Sequence, residues 1–254
     1  MRPGGEPARF GVIRRFEQLD STNRVVLELA GEGAAEGVVV VADHQTAGRG
    51  RRGRTWSAPP GSALLASVLL RPPVDPEDAH IVAMAVALAA TDACLDVVGM
   101  RPRLKWPNDL VAPHGEEKLA GILGELVLVG GRLVAMVVGM GLNVGRAAAT
   151  VPGAASLEDL ARLPVDREIL LASWLGHLEV RYAQVLGPDG PRRVLASYRR
   201  HCATLGRDVR IELDHGSFEG RAADVTEAGH LVVDTDAGRR EVTAADVVHL
   251  RPGA

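Results

Sequence analysis

The segment from Val38 to Leu70 reads VVVVADHQTAGRGRRGRTWSAPPGSALLASVLL. Its ends, Val38 to Ala42 and Ser62 to Leu70, are continuous apolar runs of the kind that make buried strands. Between them, Gly48 to Arg54 alternates three glycines with four arginines, and Trp56 follows. Glycine allows backbone shapes closed to other residues. Arginine keeps its charge and matches carboxylate or phosphate through a bidentate fork. The stretch therefore describes a cationic loop able to close over an anion. Glycine–arginine tracts also occur in disordered RNA-binding segments, but a loop held between two core strands is placed to serve a site.

Outward from this segment, residues 11–20 predict a short strand leading into Asp20-Ser21-Thr22-Asn23. These four residues all favour helix N-caps, so a helix is expected to about Ala30. Asp78 to Val98 carries Ile81, Met84, Leu88 and Leu95 at helical spacing and is apolar nearly all round, which predicts a buried central helix. Arg103 to Trp106 predicts a strand ending in the turn Pro107-Asn108-Asp109. Leu119–Val129 and Leu133–Val144 are β-rich and joined by Gly130-Gly131, a hairpin signal. Helices are expected over Asp166–Leu186 and Pro191–His201. From Arg207 the texture changes to short strands separated by Asp214-His215-Gly216, Glu227-Ala228-Gly229 and Asp236-Ala237-Gly238. That spacing predicts a β-barrel of about 50 residues. The boundary falls near Thr204–Gly206, giving units 1–204 and 205–254.

Composition limits the function. The chain has 254 residues, 46% of them hydrophobic, and a formal net charge of −3. A general polyanion binder would carry net positive charge, so the basic loop reads as a local device. No uninterrupted apolar run reaches the roughly 18 residues that a membrane span needs. The start, MRPGGEPARF, has no apolar signal core. Cys94 and Cys202, the two cysteines, lack the neighbours of a metal cluster and fit a reducing cytoplasm. His44, His114 and Trp174 read as structural, and no Ser-His-Asp or Cys-His set stands out.

Five signals follow one another: Ser21-Thr22-Asn23, the loop Gly48–Trp56, Lys105-Trp106-Pro107-Asn108-Asp109, Lys118-Leu119-Ala120-Gly121-Ile122-Leu123, and Gly139-Met140-Gly141-Leu142-Asn143-Val144. Singly, most have plain readings: a helix cap, a strand end, a solvated lysine, a weak glycine motif. Together, in this order, they resemble the biotin protein ligases, of the monofunctional type. The resemblance runs from Ser21 to the C-terminal barrel. It implies an α+β fold: a central mixed β-sheet flanked by helices, class II synthetase-like, followed by a small SH3-like β-barrel. Only twenty residues precede Ser21, so no winged helix-turn-helix, no repressor role and no DNA binding are expected.

The activity implied is ATP-dependent ligation of biotin to a lysine of biotin carboxyl carrier domains, through biotinyl-AMP. Arg49, Lys105, Lys118 and Asp109 would carry the chemistry, with Arg51 and Arg54 adding charge. The biotin site would comprise Ser21, Thr22, Asn23, Gln45, Gly48, Arg49, Arg51, Lys118, Gly121, Gly139 and Gly141. Glycines 121 and 139 would leave room for the bicyclic ring and tail. ATP and the adenylate would meet Arg51, Arg54, Trp56, Asn108, Lys118 and Asn143, with Trp56 on the adenine. Mg²⁺ would travel on the ATP phosphates without a dedicated protein site. Asp109 could orient Lys118, help with the metal or assist the incoming amine. Monomer and weak homodimer both stay open. The rival readings are a lipoate or octanoate ligase or transferase of the same fold, and an RNA-binding protein using the Arg/Gly loop.

Overall fold

The computed structural model describes residues 8–149, 151–213, 215–243 and 245–250. Asp214, part of one expected turn, and the first seven residues, on which the leader reading partly rests, lie outside this set. Strand β1 (Val12–Leu19) is followed by α1 (Thr22–Gly31), β2 (Val38–Gln45), β3 (Ala63–Leu70) and α2 (His80–Val98). Then come β4 (Arg103–Lys105), β5 (Asp109–Val111), β6 (Lys118–Val129), β7 (Arg132–Asn143), and helices α3 (Leu157–Ala161), α4 (Arg167–Leu186) and α5 (Gly190–His201). The C-terminal strands are β8 (Asp208–Glu212), β9 (Ser217–Val225), β10 (Leu231–Thr235), β11 (Gly238–Val242) and β12 (Asp246–His249).

The first seven strands form one sheet in the order β1-β2-β3-β7-β6-β5-β4. Only β1 and β2 run parallel; every other pair is antiparallel. The sheet is mixed, as expected. Gly130 and Gly131 turn the β6–β7 hairpin with φ of 58° and 78°, the left-handed values that a two-residue turn between twisted strands requires.

One face of the sheet, through Val39, Val41, Leu64, Ala66 and Val68, packs on α2 and on Leu171, Trp174 and Leu178 of α4. Sandwiched between sheet and α4, α2 is buried almost all round, which is why its pattern shows no polar stripe. The stretch Pro76–Val98 is long and apolar enough to pass for a membrane span by length and composition, but 72% of its most apolar window is buried inside the fold, in keeping with the buried central helix expected here.

The opposite face carries Val38, Val40, Leu69, Ala135 and Val137 against Val26 and Leu29 of α1. With ten residues, α1 is about 15 Å long and covers only part of a seven-stranded sheet. The face beyond its N-terminus, over β3, β7 and β6, is left for the Arg/Gly loop.

The second sheet is antiparallel in the order β11-β10-β9-β8-β12 and forms the SH3-like unit. Trp106, at the end of β4, is buried and donates its indole N–H to Gly229 O at 3.0 Å, so it acts as a strut between the two sheets. Sequence reading missed β5 and α3. The first residue of β5, Asp109, was read as the end of the Pro107-Asn108-Asp109 turn, and the five residues of α3 hold too little pattern to register.

Candidate active site

A cavity of about 120 Å³ opens on the sheet face beyond α1. Its floor is glycine. On β7, Gly139 and Gly141 alternate toward this face, and Gly141 pairs in register with Gly121 on β6. A Cβ at Gly139 would stand 2.0 Å from Asn23 Oδ1, and one at Gly141 would stand 2.5 Å from the Trp56 indole. The glycines therefore make room for the protein's own side chains.

At one end the residues are neutral and buried. Ser21, Thr22, Asn23 and Ser67 are each at most 4% exposed. Ser21 occupies the N-cap of α1, yet its side chain caps nothing. Instead the triplet is wired sideways. Gln45 Oε1 accepts from Thr22 N (2.7 Å) and from the Thr22 hydroxyl (3.0 Å). That fixes the amide and turns its NH₂ toward Gly48. The Ser67 hydroxyl lies 2.6 Å from Asn23 Oδ1 and 2.7 Å from Thr22 Oγ1. Asn23 Nδ2 donates to Glu125 Oε2 (2.7 Å) and Leu123 O (3.2 Å).

The other end is cationic. The Arg/Gly loop folds as a short hairpin, with Arg49 bridged to Thr55 and Trp56 N donating to Gly48 O at 2.9 Å. Any side chain at Gly48 would strike Trp56 O. The tip turns at Arg52 and Gly53, with φ of 54° and 73°. Arg49 meets Glu125 at 3.0 Å. Arg51 Nη1 reaches Asn108 Oδ1 at 3.3 Å. Arg54 pairs with Asp246 of the C-terminal unit, and Arg52 donates to Glu212 O at 3.4 Å. Burial lowers the pKa of the Arg51 guanidinium, opposed mainly by the charge of Asp246, so this cation is already partly stripped of water.

Opposite the loop, the turn after β4 presents Asn108 and Asp109. Asn108 Nδ2 bonds Ile122 O at 2.9 Å. Lys118 Nζ lies 2.7 Å from Asp109 Oδ1 and 5.6 Å from the centre of the Trp56 ring. Of the roles open to Asp109, this ion pair has the geometry for orienting Lys118. Among the described residues, no group of three or more His, Cys, Asp or Glu is arranged to hold a metal ion.

The structure thus brings Ser21, Thr22, Asn23, Gln45, Arg49, Arg51, Arg54, Trp56, Asn108, Asp109, Lys118, Gly121, Gly139 and Gly141 around one cavity. Three expected residues do not line it. Gly48 serves the hairpin from behind. Asn143 is buried at the end of β7, where its amide donates to Ala155 O at 3.1 Å. Lys105 sits on the edge strand β4. Its charge acts on His249 at the seam with the C-terminal unit; burial first, then Lys105, pushes that imidazole down to about 4. Trp56, expected on an adenine, lies flat over Gly141 and Gly121 in the middle of the cavity. The room expected for a ligand at Gly139 is taken by Asn23.

Sequence reading missed Ser67, Glu125 and Asp246. A signal existed for the first two: Ser67 is the lone polar residue inside an apolar strand, and Glu125 follows Gly121 and Leu123 on the same face of β6. Asp246 had none.

Residues 15–143 match the model of the biotin/lipoate A/B protein ligase family, and residues 204–250 match that of the biotin protein ligase C terminal domain. The biotin–[acetyl-CoA-carboxylase] ligase of Mycobacterium tuberculosis is 39% identical, over 92% of this chain and 87% of that protein. The enzyme of the same name from Paracoccus denitrificans is 34% identical, over 90% and 96%. Among solved structures, biotin protein ligase from Aquifex aeolicus in complex with biotin and ATP superposes with a TM-score of 0.79 at 25% identity, over 95% of this chain and 100% of that one. The chain belongs to the biotin protein ligase family.

Proposed function

We propose that this protein is a biotin–[biotin carboxyl-carrier protein] ligase, joining biotin to a carrier lysine at the expense of ATP through biotinyl-5′-AMP. The observation that carries the reading is the cavity's division into a neutral, hydrogen-bonding end and a cationic end, joined by an apolar middle. Biotin has the same division. Its ureido ring is neutral, with two N–H donors and one carbonyl; its tail is apolar; its carboxylate is charged.

The buried end suits the ureido ring. The Gln45 NH₂, held by Thr22, can donate to the ring carbonyl, while Ser21 and Thr22 oxygens can accept from the ring N–H groups. Trp56 walls the apolar middle. The carboxylate then lies where Arg49, Arg51 and Lys118 converge, which is also where the α-phosphate of ATP must come.

In the first step a biotin carboxylate oxygen bonds to the α-phosphorus, the α–β bridging P–O bond breaks, and pyrophosphate leaves. The cations neutralise the repulsion between the two anions and the charge on the transferring phosphorus. No covalent enzyme intermediate is needed; the protein's part is orientation and electrostatics. Mg²⁺ bound to the triphosphate would add further neutralisation. In this reading the metal arrives with the nucleotide, and Asp109 orients Lys118. In the second step the carrier lysine amine attacks the acyl carbon, AMP leaves, and the ammonium formed loses a proton.

The acceptor lysine needs its own way in. A second cavity, of about 340 Å³, shares Arg51, Asn108, Asp109, Ile122 and Leu123 with the first and runs between Ala83 and Met84 of α2 and Gly229 and His230 of the C-terminal unit. Its apolar walls suit a lysine stem, and its inner end lies at Asp109. Buried free thiols at Cys94 and Cys202 support a reducing, cytoplasmic setting.

The test is pyrophosphate release with biotin, lipoate or octanoate as the acid, followed by transfer to a carrier domain. Release and transfer with biotin alone are expected. Preference for lipoate or octanoate would replace this reading with the rival one.

A further inference from the structure

We propose that Glu125 is a positioning residue for the ligation: it sets the Arg49 guanidinium against the reacting oxygens and couples it to the ring end of the cavity. The inference rests on the biotin-ligase reading above.

One carboxylate serves both ends. Glu125 Oε2 accepts from Asn23 Nδ2 at 2.7 Å, and Oε1 holds Arg49 Nη1 at 3.0 Å. The acid is the fixed partner. Its side chain is 20% exposed and stands on β6, in the middle of the sheet, whereas Arg49 is 51% exposed on a loop. A guanidinium has five N–H donors in a rigid plane, so holding one nitrogen fixes where the others point. Arg49 lines the cavity, and anchoring Nη1 on Glu125 leaves its remaining edge to face the anion.

Hydrogen bonds or close polar contacts connect Gln45, Thr22, Ser67, Asn23, Glu125 and Arg49 in sequence. A ring seated at Gln45 and Thr22 stiffens the same chain that holds the arginine. The plainer role for Glu125, satisfying the buried amide of Asn23, needs only a neutral acceptor. The charge is what Arg49 requires.

Glu125→Gln separates the two roles, since it keeps size and an acceptor for Asn23 while removing the charge. Biotin affinity would be measured by calorimetry. Single-turnover pyrophosphate release at saturating biotin and ATP would be measured for wild type, Glu125→Gln, Arg49→Ala and the double variant. Glu125→Gln is expected to slow release about tenfold, the low end of what losing an orienting outer-shell partner costs at a metal site, and to weaken biotin binding by much less. In the Arg49→Ala background it should cost nothing more, because its effect passes through Arg49. A wild-type rate in Glu125→Gln, an equal loss in both backgrounds, or a loss confined to biotin affinity would overturn the proposal. Wild-type protein that releases no pyrophosphate with biotin would instead remove the ligase reading, and this proposal with it.

Discussion

At one end of the cavity Thr22, Asn23 and Ser67 are almost completely buried and bonded to one another. At the other, Arg49, Arg54 and Lys118 are 51%, 59% and 39% exposed, and each is paired with an acid: Glu125, Asp246 and Asp109. The difference follows from desolvation. Neutral polar groups can be buried at little cost when they satisfy each other, whereas bare cations cannot. The ring end can therefore be finished before the ligand arrives. The anion end has to stay wet and lightly paired, with N–H donors left over for substrate oxygens.

Removing a cation tests the second half of this contrast most severely. Lys118→Ala should fold normally and lower biotin-dependent pyrophosphate release by about 10²–10³, the loss seen when one electrostatic contact to a transition state is removed. A near-normal rate would leave Lys118 with no part in the chemistry.

At the ring end, Thr22→Val keeps the volume but removes the oxygen that accepts from a ring N–H of biotin. Leaving that buried donor unpaired in the complex costs about 1–3 kcal/mol, so the biotin dissociation constant should rise roughly 5- to 150-fold. Because no charge is involved, that loss should persist unchanged as salt is raised, while binding of the adenylate to wild type weakens. Equal salt sensitivity at both ends would erase the distinction.

Much of the anion end was legible in the sequence, because its residues sit in local motifs: a loop of alternating Gly and Arg, a turn with Asn108 and Asp109, a lysine opening a strand. The ring end was only half legible. Ser21-Thr22-Asn23 looks like a helix cap, and only the structure reveals that its side chains point along the sheet. Their partners Ser67 and Glu125 lie 44 and 102 residues from Asn23, brought there by strand register. The loop's outer anchor is still more distant, since Arg54 and Asp246 are 192 residues apart. Lys105 and Asn143 stand inside strong motifs, yet neither lines the cavity: Asn143 bonds Ala155 O, and Lys105 lies near His249 at the seam with the C-terminal unit.

A milder break concerns the second substrate. Ala83→Phe would fill the outer cavity without touching the first. Transfer to a carrier domain should fall severalfold while adenylate forms at the wild-type rate. An equal fall in both steps would mean that the acceptor lysine comes another way.

The smallest effect is expected at the loop tip. Asp246→Asn removes an exposed ion pair of the sort worth about 0.2–1 kcal/mol. Escape of bound adenylate, followed in a stopped-flow chase, should then quicken by no more than about fivefold. A hundredfold change would make the C-terminal unit the main latch of the loop.

The central claim is that one cavity holds both the ring and the activated carboxylate of biotin until a lysine arrives. Incubating the protein with biotin and ATP, desalting, and weighing it by native mass spectrometry tests this directly. The account predicts one non-covalently bound biotinyl-AMP per chain, discharged to AMP and a biotinylated lysine when a carrier domain is added. Protein that carries no adenylate, or carries biotin covalently on itself, would contradict it.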